Sequence, residues 1–258
     1  MATGQERKKF ADELWKVRRR HGTLAPPSTR FAQFDLADGY AVGFVLSAQR
    51  MRSGDRRVGL KLGFTNTAVW EILGLAEPIC APVYDGSVRH TGDSQGDVFV
   101  DTRDFVAPAI EPEIVLGIGA GGVTWWALGL EIVHCHYPDW HMTPADALAD
   151  GALHGALIVG VHVPLRPDSQ TFRTPFAVEL LRDGQLYEKS TTEAVLGGPL
   201  RALERAAAIC AGVPEVAAPQ AGELVTTGSL TSAPRILAGQ SWTVRAEKDS
   251  PALTIIAR

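Results

Sequence analysis

Residues Ala109 to Trp140 read AIEPEIVLGIGAGGVTWWALGLEIVHCHYPDW, and three glutamates, Glu111, Glu113 and Glu131, stand inside apolar, strand-like runs. A carboxylate in such surroundings costs several kcal/mol unless it is paired or binds a metal. Successive side chains of an extended chain alternate faces, so Glu111 and Glu113 point one way and Pro112 the other. Two like charges side by side repel. A divalent cation resolves that conflict, and an all-oxygen set suits Mg²⁺, Mn²⁺ or Ca²⁺ rather than zinc or copper. Glu131, in the second apolar run LGLEIV, supplies a third oxygen. The other account is a solvated edge strand, which Pro112 itself favours. Both accounts stand at this point.

Between the glutamates, Gly117 to Gly122 (GIGAGG) has the glycines of a dinucleotide fingerprint without the βαβ unit that would surround one, so it reads as a turn. After Glu131 come His134, His136 and His141. His134 and His136 share a strand face, but no helical HExxH accompanies them, and they read as supporting or core histidines before they read as zinc ligands.

Upstream, residues 5–21 repeat Phe10, Leu14 and Val17 at helical spacing and predict an amphipathic helix ending near Gly22. Its basic run, Lys16 to Arg20, reads as a solvated face. A second helix is expected from Leu36 to Arg52, with Tyr40, Phe44 and Val45 buried. In VGLKLGFTN, Lys61 lies between Leu60 and Leu62 and is flanked by Gly59 and Gly63, which permit close approach of backbone or ligand. Such a lysine either snorkels to water or is held as a functional cation of depressed pKa. Tyr84 and Asp85 are placed to reach a cleft, although Asp85-Gly86 is equally a good turn.

Downstream, Thr143 and Pro144 read as the cap and first residue of a helix that leads through Gly155 into a buried strand. Asp146, Asp150 and His154 recur at helical spacing, either aimed at the site or forming a solvated stripe. The last third alternates strands and turns around the helix GPLRALERAAAICAG. There TTGSLT sets hydroxyls and backbone N–H groups beside a glycine, as in an anion-binding nest.

The 258-residue chain carries a formal net charge of -4, which argues against general nucleic-acid binding. Cys80, Cys135 and Cys210 are widely spaced, as expected of reduced thiols in a cytoplasmic protein. No stretch approaches the roughly 20 apolar residues of a spanning helix, so no membrane association is expected.

Taken in order, GLKLGFTN, EPE, GLEIVHCHYPDW and AGELVTTGSLT resemble the 2-keto-4-pentenoate hydratase branch of the fumarylacetoacetate hydrolase superfamily, over nearly the whole chain from Asp35 onward. The resemblance implies an α+β fold, with a mixed β-roll or barrel-like core, peripheral helices and an N-terminal helical segment. The expected division is a helical segment over residues 1–55 and a β-rich catalytic domain over 56–258. It further implies a homo-oligomer and a Mg²⁺ or Mn²⁺ ion on Glu111, Glu113 and Glu131. Lys61 would match the family's strand lysine, and Thr227, Gly228 and Ser229 its turn that binds the substrate carboxylate. Asp85 and His136 complete the candidate catalytic groups with Lys61.

The implied reaction is addition of water to a small 2-hydroxy-2,4-dienoate or 2-oxo-enoate in the catabolism of aromatic compounds. The alternatives are a decarboxylase or C–C hydrolase on the same scaffold, or a non-catalytic homologue that stabilises a partner enzyme. Three departures stand out. His134-Cys135-His136 replaces Asp-Ser-Arg, and Ala149-Asp150-Gly151-Ala152-Leu153 replaces Ala-Asp-Asn-Ala-Ser. The connection GAGGVTWWALG is also shorter than in related sequences, too short for a crossover between parallel strands.

Overall fold

The computed structural model describes residues 2–92, 98–166, 169–248 and 250–258. Its first strands are β1 (Arg57–Gly63), β2 (Ile79–Tyr84), β3 (Val88–His90), β4 (Val98–Val100), β5 (Ala109–Gly119) and β6 (Gly122–Val133). They are followed by β7 (His154–Val159), β8 (Val163–Pro164), β9 (Ala177–Arg182), β10 (Gln185–Thr191), β11 (Leu224–Thr226), β12 (Ser241–Ala246) and β13 (Leu253–Ala257). One sheet runs β2-β1-β11-β5-β6-β7-β3, with β8 added to β6, and curls into a half-barrel. The other runs β10-β9-β12-β13-β4. With the N-terminal helices this is the α+β fold expected from the motifs.

β5 and β6 form an antiparallel hairpin that turns at Ala120 and Gly121, so the glycine run is a turn and no crossover is required. Alternation then divides the hairpin. Ile110, Ile114 and Leu116 of β5, with Trp126, Leu128, Leu130 and Ile132 of β6, face the second sheet and form the main core with Val178, Trp242, Val244 and Ile255. The glutamates occupy the opposite face. β5 is central, between β11 and β6, which removes the solvated-edge account. Pro112 is tolerated there because β11 ends at Thr226, and opposite Pro112 the chain beyond β11 is a loop whose Leu230 N–H donates to the Pro112 carbonyl at 2.9 Å. The missing N–H of Pro112 therefore faces a loop rather than a ladder.

The N-terminal helix, Gly4–Arg18, starts at a Thr3/Glu6 capping box and buries Phe10, Ala11 and Leu14. Helix Leu36–Arg52 has the expected bounds, with Asp35 as its N-cap, but buries Asp38, Gly39, Val42 and Leu46. Tyr40 and Val45 are half-buried, and Phe44 faces solvent at 53% exposure. Close approach to helix Pro144–Ala149 sets this face, since a Cβ on Gly39 would lie 2.5 Å from the Ala145 carbonyl oxygen. The small residue, not the aromatic ones, fixes the rotation. Among the described residues no helix is long and apolar enough to cross a membrane.

Candidate metal centre

The hairpin register places Glu111 directly opposite Glu131, with Glu113 two residues along β5 on the same face. One carboxylate oxygen from each lies within 4.8 Å of the others. Glu113 and Glu131 are fully buried, and Glu111 is half-buried at the wall of a cavity of about 180 Å³. Two oxygens, Glu113 Oε1 and Glu131 Oε2, are buried without a hydrogen-bond partner among the described residues. Buried acceptors without a donor are costly, and a cation between them removes the cost. The residues present therefore fit a hard divalent ion.

Lys61 enters from β1, which the parallel pairing to β11 carries alongside β5. Gly59 makes that pairing possible, since a Cβ there would lie 2.3 Å from the Leu224 carbonyl oxygen. The Lys61 ammonium, 2% exposed, donates to Glu131 Oε1 at 2.9 Å and to the Ala152 carbonyl at 2.9 Å. His154, the first residue of β7, holds the same Glu131 oxygen from Nδ1 at 2.6 Å, and its Nε2 meets Ser87 Oγ at 2.8 Å. Glu131 is thus fixed through Oε1, and Oε2 is left for a ligand.

Burial pushes every carboxylate here upward, and the neighbours decide the outcome. Glu111 rises to about 7 through burial, against the pull of Lys61. Glu113 rises well above its ordinary range through burial and then the Glu131 charge. For Glu131 the burial effect is overridden by Lys61 and His154, which hold it at about 2. Burial alone would lower the Lys61 ammonium, but Glu131, then Glu111 and Glu113, turn the net shift upward, so it is not the depressed lysine that its apolar neighbours suggested.

The TTGS turn supports this cluster. Thr227 is buried, its Oγ1 donating to the Ile114 carbonyl at 3.1 Å, and the Gly228 N–H donates to Glu113 Oε2 at 3.2 Å. Gly228 is required there: its φ is +93° and a Cβ would sit 2.0 Å from Thr65 Oγ1. Ser229 lines the cavity with Lys61 and Glu111. Thr65, Asn66 and Thr231 also line it, and sequence reasoning missed them, although Thr65 and Asn66 end the GFTN run that contains Lys61's neighbours.

Thr227 and Gly228 stand behind the cavity without lining it, and Asp85 and His136 lie away from it. Asp85 accepts from the Arg56 N–H and Nε, both at 2.9 Å, and from the Gly86 N–H, which makes it the turn residue of the alternative reading. His136 is fully buried with Nδ1 2.9 Å from the Asp150 carboxylate, which Arg18 holds from its other side at 2.5 Å. Arg18 thereby leaves the solvated face expected for Lys16 to Arg20, because a buried Asp150 requires a cation. Asp146 is buried too, capping its own helix through Thr143 and accepting from Ser28, so no solvated stripe exists.

A buried all-oxygen cluster, gripped by a lysine on the face of a curled mixed sheet away from the second sheet, defines an α+β protein with a candidate divalent-cation site. No family model matches the chain. It is 32% identical to 4-oxalocrotonate decarboxylase of a Pseudomonas species over 234 residues, covering 85% of this chain and 86% of that one. It is 28% identical to 2-keto-4-pentenoate hydratase of Paraburkholderia phymatum over 252 residues, covering 92% of each. In fold it is similar to 4-oxalocrotonate decarboxylase of Pseudomonas putida G7, complexed with magnesium and adipate, with a TM-score of 0.91 at 22% identity over 100% of this chain and 99% of that one. The chain belongs to the fumarylacetoacetate hydrolase superfamily, in the branch of the hydratases and decarboxylases.

Proposed function

We propose that this protein is a Mg²⁺- or Mn²⁺-dependent lyase acting on a small 2-oxo-enoate or 2-hydroxydienoate acid, and that its reaction is hydration of the conjugated alkene. The observation that carries the reading is the convergence of Glu111, Glu113 and Glu131 with two buried oxygens left unpartnered. These three residues would hold the cation, which when bound supplies charge stabilisation to an enolate. Lys61, its pKa raised by the three glutamates, is a group of this chain able to hold a proton at the cavity wall beside Glu111. Ser229, Thr65 and Asn66 offer hydroxyl and amide donors to an acid's polar end, while Val69, Ile79 and Leu153 line the rest of the cavity for a short carbon tail.

A second reading, decarboxylation, is favoured by the lining itself. Among the described lining residues Lys61 and Glu111 are the only ionisable groups, and Gly151 and Leu153 stand where the hydratases' motif has an amide and a hydroxyl. Losing CO₂ needs an enolate stabiliser but no base to activate water.

The test is ultraviolet decay of freshly generated 2-hydroxypenta-2,4-dienoate and, separately, of a 2-oxo-enedioate, each with Mg²⁺ and then with EDTA, followed by mass analysis. A product one water heavier supports hydration, and a product one CO₂ lighter supports decarboxylation. Metal-independent decay, or none with either acid, overturns the reading. Glu113→Ala is expected to abolish Mn²⁺ binding in a folded protein, and an unchanged titration would remove Glu113 from the metal set.

A further inference from the structure

A second cavity, of about 40 Å³, lies beyond the wall of the metal cavity. The partition is the segment Asp150–His154: Gly151 and His154 line the second cavity, whereas Ala152 and Leu153 line the first. Three consecutive left-handed residues, Gly151 (φ +64°), Ala152 (φ +51°) and Leu153 (φ +63°), build it. It is pinned from both sides, by Lys61 on the Ala152 carbonyl and by Arg18 on the carbonyls of Asp150 (3.1 Å) and His154 (3.0 Å). Non-glycine residues in this conformation persist only where surrounding contacts over-determine them, and such segments cluster at ligand sites.

The second cavity is rich in donors. Arg50 is mostly buried, with its guanidinium 4.2 Å above the Tyr84 ring, and only its Nε is engaged, by Asp55 at 2.8 Å. Among the described residues its two terminal nitrogens have no hydrogen-bond acceptor. Ser47 Oγ receives the Tyr84 hydroxyl at 2.5 Å and Tyr40 Oη receives the Cys80 N–H at 3.2 Å, so each hydroxyl keeps its own proton to donate. Burial, and then the neighbouring Arg18, lower the Arg50 guanidinium from its usual value, a cost that an anion would relieve. Asp150 already neutralises Arg18, and Glu215 is exposed at the cavity's edge, where water screens its repulsion of an anion. The remaining lining, Leu46, Pro82, Leu148 and Val216 among it, is apolar.

We propose that this cavity is a second ligand site, for a short monocarboxylate. The planar guanidinium fork matches a carboxylate, the two hydroxyls complete its donors, and the apolar walls take the carbon tail. The cavity is small, about 40 Å³, which suits the head of a short acid with its tail toward the mouth and excludes a bulky one. The site requires neither the metal nor the reaction proposed above.

The test uses the full chain in EDTA, so that no metal can chelate the probe, with propionate followed by ligand-observed saturation-transfer NMR. Saturable binding is expected for propionate and not for propionamide. Arg50→Met should weaken it at least tenfold, and Ser47→Leu, which fills this cavity from the Leu36–Arg52 helix and leaves the Asp55 pair intact, should do the same. Ser229→Leu, which fills the metal cavity instead, should leave it within twofold. Absence of saturable binding overturns the proposal. So does binding that survives Ser47→Leu but is lost in Ser229→Leu, which would put propionate in the metal cavity; the Ser47 variant decides the matter even if Arg50→Met fails to fold.

Discussion

Glu131 shows how single atoms set the chemistry. Lys61 and His154 both hold Oε1, so the carboxylate cannot rotate to exchange its oxygens without losing two charge-assisted or buried hydrogen bonds. His154 is therefore a positioning residue, and its two nitrogens can be tested apart. An asparagine amide nitrogen falls near the Nδ1 position and a glutamine nitrogen near Nε2. His154→Asn should keep Mn²⁺ affinity within about threefold, whereas His154→Gln, reaching Ser87 instead of Glu131, should lose about 10–100-fold, the usual cost of removing such a partner. Equal losses in both variants would mean that the imidazole acts only by filling space. This residue was hard to read from sequence. Its spacing from Asp146 and Asp150 is helical, but the helix stops at Ala149 and a left-handed turn intervenes before β7, so the periodicity does not carry through. The glutamates and Lys61 were legible for the opposite reason: a charge inside an apolar strand has few fates, and a hydrophobic flank marks it at once. Asp85 and His136 had polar or turn-like neighbours, where the turn and the buried ion pair compete equally with catalysis.

At the scale of elements, the site is a hairpin plus a turn. The β5–β6 register brings Glu111 against Glu131, and a slip of one residue would send a glutamate into the main core. Alternation along each strand was readable, as were the cap at Thr143 and the start of the Leu36–Arg52 helix, because local chemistry determines them. Strand partners were not, since parallel and antiparallel pairing of the two glutamate strands differ only in what the connection can span. The short GAGGVTWWALG connection, which counted against a parallel arrangement, is what an antiparallel hairpin requires. The turn after β11 carries a prediction. Gly228→Ala combines a φ of +93° with a Cβ 2.0 Å from Thr65 Oγ1, and it displaces the N–H that holds Glu113. It should destabilise the fold by about 1–3 kcal/mol and lower Mn²⁺ affinity together, as read by thermal melting and metal titration. Gly121→Ala, in the hairpin turn with no atom near its Cβ, is the control and should melt close to the parent. A Gly228 variant that melts and binds as the parent does would show that the turn relaxes and that Glu113 does not depend on it.

For the whole molecule, the metal centre ties stability to pH. Glu111 and Glu113 are raised in the folded, metal-free chain, Glu111 to about 7, so between the ordinary carboxylate range and that value the folded state holds protons which the unfolded chain has released. Stability contributed by these protons falls as pH rises through the window, the reverse of the usual carboxylate behaviour, because the unfolded state there binds fewer protons than the native state. Glu131, held at about 2, acts in the usual direction but only at much lower pH, and leaves this window unaffected. A divalent cation displaces the same protons, so its stabilising effect should grow with pH and its binding should release protons. At a free Mg²⁺ concentration a hundredfold above Kd the gain is about 2.7 kcal/mol, or roughly 5–10 °C in Tm for a chain of this size. The expected result is a rise of that order at pH 8, shrinking toward zero near pH 5.5, with calorimetric heats that depend on the ionisation enthalpy of the buffer. A rise in Tm independent of pH across that range would mean that the two raised carboxylates are not the groups that receive the cation, and it would detach the metal from the β5 strand that organises the fold.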